Sequence, residues 1–299
     1  MKSLLVTGSS GFIAPHIIKQ AIAKDFKVYG IDIKDPTLPV EGCTYIKDDI
    51  RNFDLEKINN LDYIIHLAFV TNIPFTINEP VSTSDDNIVM TADLLNKATT
   101  SKVKKFIFSS TASLYGNNPI PWKENMSSDP IEPYSWQKLS CEYLCQMWTK
   151  RYGTKTSIQR LFQVYGENQR EDTALAKFIS LRKTNKPITL TETSENSDCR
   201  TGRRDFIYVG DVASAFISNC LSSKTGLGEI INIASGTMTS MEEVAKVIGG
   251  EIKFIPKRNF EVESHQADLS NCYKYLDWRP KEDVLDWLKK FCDKELKNA

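Results

Sequence analysis

Over the first two-thirds of the chain, short runs of consecutive apolar residues alternate with segments whose apolar positions recur at i, i+3 and i+4. The runs at 2–7, 27–31, 44–46, 61–67, 105–109 and 156–162 are nearly continuous in hydrophobicity, as strands of a parallel sheet covered on both faces are. Between them, residues 12–24, 81–98 and 134–152 carry the amphipathic helical period. Repeated strand–helix units of this kind predict an α/β fold, a doubly wound Rossmann-type parallel sheet with right-handed crossovers. After about residue 166 the pattern loosens into a helix at 174–184, a strand at 205–209, a helix at 211–221, a strand at 229–233 and a final helix at 283–296, with a polar loop at 191–204. The expected organisation is a nucleotide-binding domain over 1–166, with returning segments from about 205–235, and a smaller C-terminal substrate-binding lobe over 167–299. The proline-rich connection 116–133 is longer than an ordinary loop and is expected to border a site.

Composition narrows the class. Of 299 residues, 38 are basic and 38 acidic, so the formal charge is zero, and 41% are hydrophobic. A neutral surface does not suit sequence-independent binding to nucleic acid, and no apolar run approaches the ~20 residues that cross a bilayer. Neither nucleic acid nor a membrane is an expected partner. The seven cysteines are odd in number and form no Cys-x-x-Cys pair; reduced thiols, with no long apolar leader at the start, point to a cytoplasmic enzyme. His16, His66 and His265 are too separated to suggest a metal site, so no metal is expected. His66 ends a buried strand and reads as a satisfied core histidine.

The first candidate chemistry lies at the first strand–helix junction. Thr7-Gly8-Ser9-Ser10-Gly11-Phe12-Ile13-Ala14 follows the first strand and opens the first helix. Small residues there let the backbone approach a pyrophosphate, and the helix N-terminus supplies free N–H donors and a positive dipole end. The spacing is Gly-x-x-Gly-x-x-Ala; Ala14 still permits close helix–strand packing, and Pro15 falls in the first turn, where its missing N–H does little harm. Asp32 ends the second strand. Its carboxylate can accept both hydroxyls of an adenosine ribose and repels a 2′-phosphate, which favours NAD over NADP, although Lys34 softens the preference. Asp49 and Ile50, after the third strand, are placed to offer an adenine ring a polar edge and an apolar face.

Tyr134 and Lys138 stand four apart at the start of a predicted helix and so share one face. An ammonium beside a phenol lowers the phenol's pKa from its usual ~10, and an oxidised nicotinamide adds a second positive charge. Tyr134 is therefore the candidate general base for an alcohol proton, and Lys138 is expected to bond the nicotinamide ribose as well. Ser109, Ser110 and Thr111 end the fifth strand, in the crevice outside the strand ends where ligands of such sheets bind. Thr111 is placed to bridge a substrate hydroxyl and Tyr134.

Taken together, these segments resemble the extended short-chain dehydrogenase/reductases, in particular their NAD-dependent nucleotide-sugar epimerase/dehydratase branch. The resemblance runs along nearly the whole chain through TGSSGFIA (7–14), YGID (29–32), DDIRN (48–52), HLAFVT (66–71), NIVMTADLL (87–95), KKFIFSSTASLYG (104–116), PYSWQK (133–138), RLFQVYGENQ (160–169), RRDFIYVGDVASA (203–215) and LDWRPK (276–281). It implies that Phe12 and Ile13 lie along the pyrophosphate, that Leu67 and Ala68 through Thr71 line the dinucleotide with Asn87 nearby, and that Thr111, Tyr134 and Lys138 form the catalytic triad. Phe162 and Gln163 would lie on the strand between cofactor and substrate, with Ser109 on the cofactor side. Arg204 and Arg258 would grip a substrate diphosphate, each guanidinium being able to bind it bidentately.

Departures from the family pattern are informative. Gln163 stands where an asparagine is usual, Gln137 where a serine is usual, and Gly210 where an aspartate is common. The 4,6-dehydratases of the branch carry an Asp-Glu pair directly after the threonine, to donate and remove protons during loss of water. Ala112 and Ser113 can do neither. The expected activity is thus an NAD-dependent nucleotide-sugar epimerase acting at C4 through a transient keto-sugar. The alternatives are a 4-keto-sugar reductase on the same site and, less favoured, a non-enzymatic cofactor-binding regulator. A homodimer is expected through the helices at 81–98 and 134–152, with Leu144 and Trp148 as exposed contacts.

Overall fold

The computed structural model describes residues 1–257 and 262–295. Its strands in chain order are β1 (Lys2–Thr7), β2 (Phe26–Asp32), β3 (Cys43–Lys47), β4 (Tyr63–His66), β5 (Lys105–Thr111), β6 (Thr156–Leu161), β7 (Gln163–Tyr165), β8 (Ile188–Thr191), β9 (Arg203–Tyr208), β10 (Leu227–Ile233), β11 (Met238–Ser240) and β12 (Ile252–Ile255). Its α-helices are α1 (Ala14–Ile22), α2 (Ile73–Asn78), α3 (Pro80–Ser84), α4 (Met90–Thr100), α5 (Pro133–Tyr152), α6 (Ala174–Lys183), α7 (Val209–Leu221), α8 (Met241–Ile248), α9 (Ser270–Leu276) and α10 (Val284–Glu295). Seven strands form one parallel sheet in the order β10-β6-β5-β4-β1-β2-β3. The order reverses between β1 and β4, where ligands of such sheets bind beyond the strand ends.

Continuous hydrophobicity in these strands is explained by cover on both faces. One apolar cluster joins β1, β2 and β10 to α1 and α7, and a second joins β4 and β5 to α4 and α5. A third, built on Phe178, Ile188, Phe206, Val244 and Trp287, lies among the C-terminal elements. Of the segment 205–235, β10 joins the edge of the main sheet and α7 packs beside α1, whereas β9 pairs with β7 and β11 in a separate three-stranded sheet.

Several local features differ from the periodicity reading. The single helix expected at 81–98 is broken into α3, a π-helical turn at Asp85–Val89, and α4. Leu144 and Trp148, expected as exposed contacts, are half-buried against the second cluster, because they lie on the sheet-facing side of α5. The exposed large apolar residues of α5 are Trp136, Tyr143, Met147 and Tyr152. Gly210 also has a local reason: a Cβ there would lie 2.4 Å from Cε1 of Tyr208, so the tyrosine ring occupies the space an aspartate would need.

Candidate active site

The turn after β1 is shaped by close approach. Gly8 has φ of +69°, and a Cβ on it would lie 2.8 Å from the amide nitrogen of Ala68, so a side chain fails there on both backbone and packing grounds. Gly11 closes the turn by donating its N–H to the Gly8 carbonyl at 3.0 Å. Helix α1 then starts with no side-chain cap and no carboxylate in its first turn. Its N-terminal N–H groups and dipole are thereby offered to an anion. Asp32 is held beside this turn by its own backbone bonds: Oδ2 accepts from Ser10 N and Oδ1 from Lys34 N, both at 3.0 Å. Each oxygen retains a lone pair, so the free N–H donors of α1 suit a pyrophosphate and the Asp32 acceptors suit the ribose diol of a dinucleotide. Asp49 is tied to Arg51, whose Nη2 donates to Oδ2 at 2.7 Å and whose guanidinium holds the carboxyl below its usual range. Ile50 is buried in the second cluster.

Behind the turn runs a buried polar chain. Thr91 Oγ1 donates to the Asn87 carbonyl at 2.6 Å, so it can only accept from His66 Nε2 at 3.1 Å. His66 therefore carries its proton on Nε2, and Nδ1 accepts from Thr7 Oγ1 at 2.7 Å, which in turn accepts from Ala68 N at 3.1 Å. Burial pushes the imidazole down to about 3, so it stays neutral. His66 is thus a satisfied core histidine that registers β1, β4 and α4 against one another.

Asn87 corrects the expectation of a cofactor contact. It is fully buried and its amide is consumed elsewhere: Oδ1 accepts from Val70 N at 2.7 Å, and Nδ2 donates to Val70 O at 3.2 Å and Gln137 Oε1 at 2.7 Å. It pins the 67–71 segment from behind. The unusual Gln137 completes the network by donating to Thr83 Oγ1 at 3.0 Å and Ser84 Oγ at 3.1 Å.

Thr111, Tyr134 and Lys138 converge at the carboxyl end of β5. Glu132 caps α5 by accepting from Tyr134 N at 2.7 Å and Ser135 N at 3.0 Å, which sets Tyr134 in the first turn. Thr111, itself buried, accepts from Ser113 N at 3.2 Å and faces the tyrosine hydroxyl. Lys138 Nζ donates to the Ser109 carbonyl at 2.6 Å. The electrostatics correct a simpler picture. Burial pushes the Tyr134 phenol up to about 12, against the opposing pull of Thr111 and Arg170, while burial pushes the Lys138 ammonium down to about 7. The phenol is therefore not brought to neutrality within the protein, because burial is the largest influence on it.

The residues expected on the substrate side come from distant segments. Phe162 packs against Tyr115 and Trp122, and Gln163, half-buried, opens β7. Arg204 lies on β9, half-buried, and its Nη1 donates to the carbonyls of Arg203 at 3.0 Å and Glu263 at 3.1 Å. Arg258 lies outside the described residues. Two residues carry no signal in sequence spacing. Arg170 donates to Thr71 Oγ1 across 99 positions and pairs with Asp172. Phe69 lies over the Lys138 ammonium.

Comparison with known proteins agrees with this geometry. The model of the NAD dependent epimerase/dehydratase family matches residues 4–234. The UDP-glucuronate 4-epimerase of Thermodesulfobacterium geofontis is 29% identical over 312 residues, covering 96% of this chain and 94% of that protein. The structure of the UDP-N-acetylglucosamine 4-epimerase from Methanobrevibacter ruminantium M1, in complex with UDP-N-acetylmuramic acid, matches with a TM-score of 0.87 at 30% identity, covering 100% of this chain and 99% of that one. That of UDP-glucuronic acid 4-epimerase from Bacillus cereus, in complex with UDP-glucuronic acid and NAD, matches with a TM-score of 0.87 at 27% identity, covering 99% of this chain and 100% of that one. On the glycine turn, the Thr111–Tyr134–Lys138 arrangement and a family match across most of its length, the chain belongs to the NAD dependent epimerase/dehydratase family.

Proposed function

We propose that this protein is an NAD-dependent nucleotide-sugar epimerase that inverts C4 through a transient keto-sugar. The observation that carries the reading is the convergence of Thr111, Tyr134 and Lys138 at the end of β5, beside the uncapped N-terminus of α1 and the Asp32 carboxylate. These residues fit NAD: α1 and the Gly8–Gly11 turn would take the pyrophosphate, Asp32 the ribose diol, and the groove past Leu67 and Ala68 the remainder. When bound, NAD supplies a reversible hydride acceptor and a positive ring. Tyr134 removes the proton from the sugar hydroxyl and later returns it, while Thr111 orients that hydroxyl. Lys138, as a cation, stabilises the phenolate and bonds the ribose. Arg204 is assigned to the substrate diphosphate, and Gln163 to the sugar. Residues after Thr111 favour epimerisation over dehydration, since Ala112 has no acid or base and Ser113 presents a hydroxyl in place of a carboxylate.

The test is turnover of UDP-, dTDP-, GDP- and CDP-sugars by the NAD-loaded protein. One of them should yield its C4 epimer with no net formation of NADH. Stoichiometric consumption of added NADH or NADPH would instead make it a keto-sugar reductase.

We further place the protein in the cytoplasm, in keeping with seven free cysteines, and as a homodimer. The dimer reading is supported by Trp136, Tyr143 and Met147, exposed on α5, with Val81 and Val89 exposed nearby on the adjoining helical segment. Light scattering is expected to give twice the 33.9 kDa chain mass; a monomer at micromolar concentration would refute it.

A further inference from the structure

Lys138 is seated in an aromatic setting that the spacing of the catalytic residues does not require. Its Nζ lies 3.6 Å from the centroid of the Phe69 ring and 4.7 Å from that of Phe108. Its hydrogen bond is to a neutral group, the Ser109 carbonyl, and among the described residues no carboxylate bonds to it. The ionisable groups around it are Tyr134, Cys141, Glu142 and Cys145 on α5 and the neutral His66 on β4. The Glu142 carboxylate is already taken by Arg160 and Ser110.

We propose that Phe69 is a positioning residue for this site: its π face holds the buried Lys138 amine in the charged form and against the Ser109 carbonyl. The geometry constrains the ring from three sides. It meets Tyr134 edge to face at 6.0 Å and 81°, and Phe108 at 6.2 Å and 59°, while the next residue, Val70, is clamped at both its N–H and its C=O by Asn87. Burial in apolar surroundings drives an amine towards its neutral form, and for Lys138 that drive is large. A ring quadrupole attracts the ammonium and gains nothing from the neutral amine, so it acts on the proton equilibrium itself. An aliphatic side chain of similar volume would fill the same space without that effect. The consequence for catalysis rests on the epimerase reading, because a neutral Lys138 could not stabilise the Tyr134 phenolate.

The test is an NMR titration of the Lys138 side chain in protein carrying Cε-labelled lysine, with the signal assigned through Lys138→Arg. Phe69→Leu is expected to lower the midpoint by about one to one and a half pH units, and Phe69→Tyr to leave it near the wild-type value. Phenylalanines with increasing ring fluorination at 69, which keep the shape and weaken the π face, are expected to lower it progressively. An unchanged midpoint in Phe69→Leu overturns the proposal. Should that variant not fold, the absence of a trend along the fluorinated series overturns it as well. The titration needs no substrate, so failure of every nucleotide sugar to turn over would refute the epimerase reading and leave this inference to be decided by the midpoints.

Discussion

Tyr134→Phe is expected to lower turnover of the nucleotide sugar by about 10²–10⁴-fold, the range for loss of a positioned general base. The substitution deletes one oxygen and keeps the ring that packs edge to face on Phe69. The α5 cap is untouched, since Glu132 accepts from the backbone N–H of residue 134. Far-ultraviolet circular dichroism and NAD affinity should therefore stay close to wild type, and the loss should appear in kcat more than in KM. The wild-type pH profile carries the complementary signature. Because burial holds the phenol above its ordinary value, turnover should rise with pH as the phenol ionises. That rise should vanish in Tyr134→Phe. A loss smaller than tenfold with the rise retained would mean that another group takes the proton.

The largest expected stability effect belongs to Glu142 and Arg160. The two side chains are 1% and 2% exposed and form a bidentate pair, Nε to Oε1 at 2.9 Å and Nη2 to Oε2 at 2.7 Å. Ser110 donates to the same carboxylate, and the guanidinium lies 4.8 Å from the Tyr115 ring centroid. The pair thus ties β5 and β6 to α5 one turn beyond Lys138. Arg160→Met leaves a carboxylate buried with one hydroxyl for company, and is expected to cost about 3–5 kcal/mol in chemical denaturation. Replacing both together, Glu142→Leu with Arg160→Met, should recover most of that loss, because no uncompensated charge remains. If the single variant lost less than about 1 kcal/mol, water must reach the carboxylate and the site is not sealed. Turnover should fall in the single variant too, since Ser110 sits between Ser109, which holds Lys138, and Thr111.

Much of this architecture was legible in the chain. Apolar runs such as 105–109 announced strands covered on both faces, and the Gly8–Ala14 turn lay where a strand passes into a helix. Tyr134 and Lys138 share a face for the reason any i, i+4 pair does. The C-terminal half was less legible. Short strands such as β8, β11 and β12 have three or four residues each, too few to display a period, and they are held by partners far away in sequence. The break between α3 and α4 was invisible for a related reason: its π turn accompanies an inward Asn87 whose partners are Val70 and Gln137.

What the sequence determined alone is whatever depends on neighbours within a few positions: the order of the strand–helix units, the glycine turn, the facing of Tyr134 and Lys138, and the missing carboxylates after Thr111. The tertiary structure decided which side chains meet. It put Phe69 over Lys138 and Arg170 on Thr71, took Asn87 out of the groove, and turned Leu144 and Trp148 inward. It also set the proton affinities, because a phenol beside a lysine becomes more or less acidic according to how much water the surrounding segments exclude. That exclusion is summed over residues from the whole length of the chain.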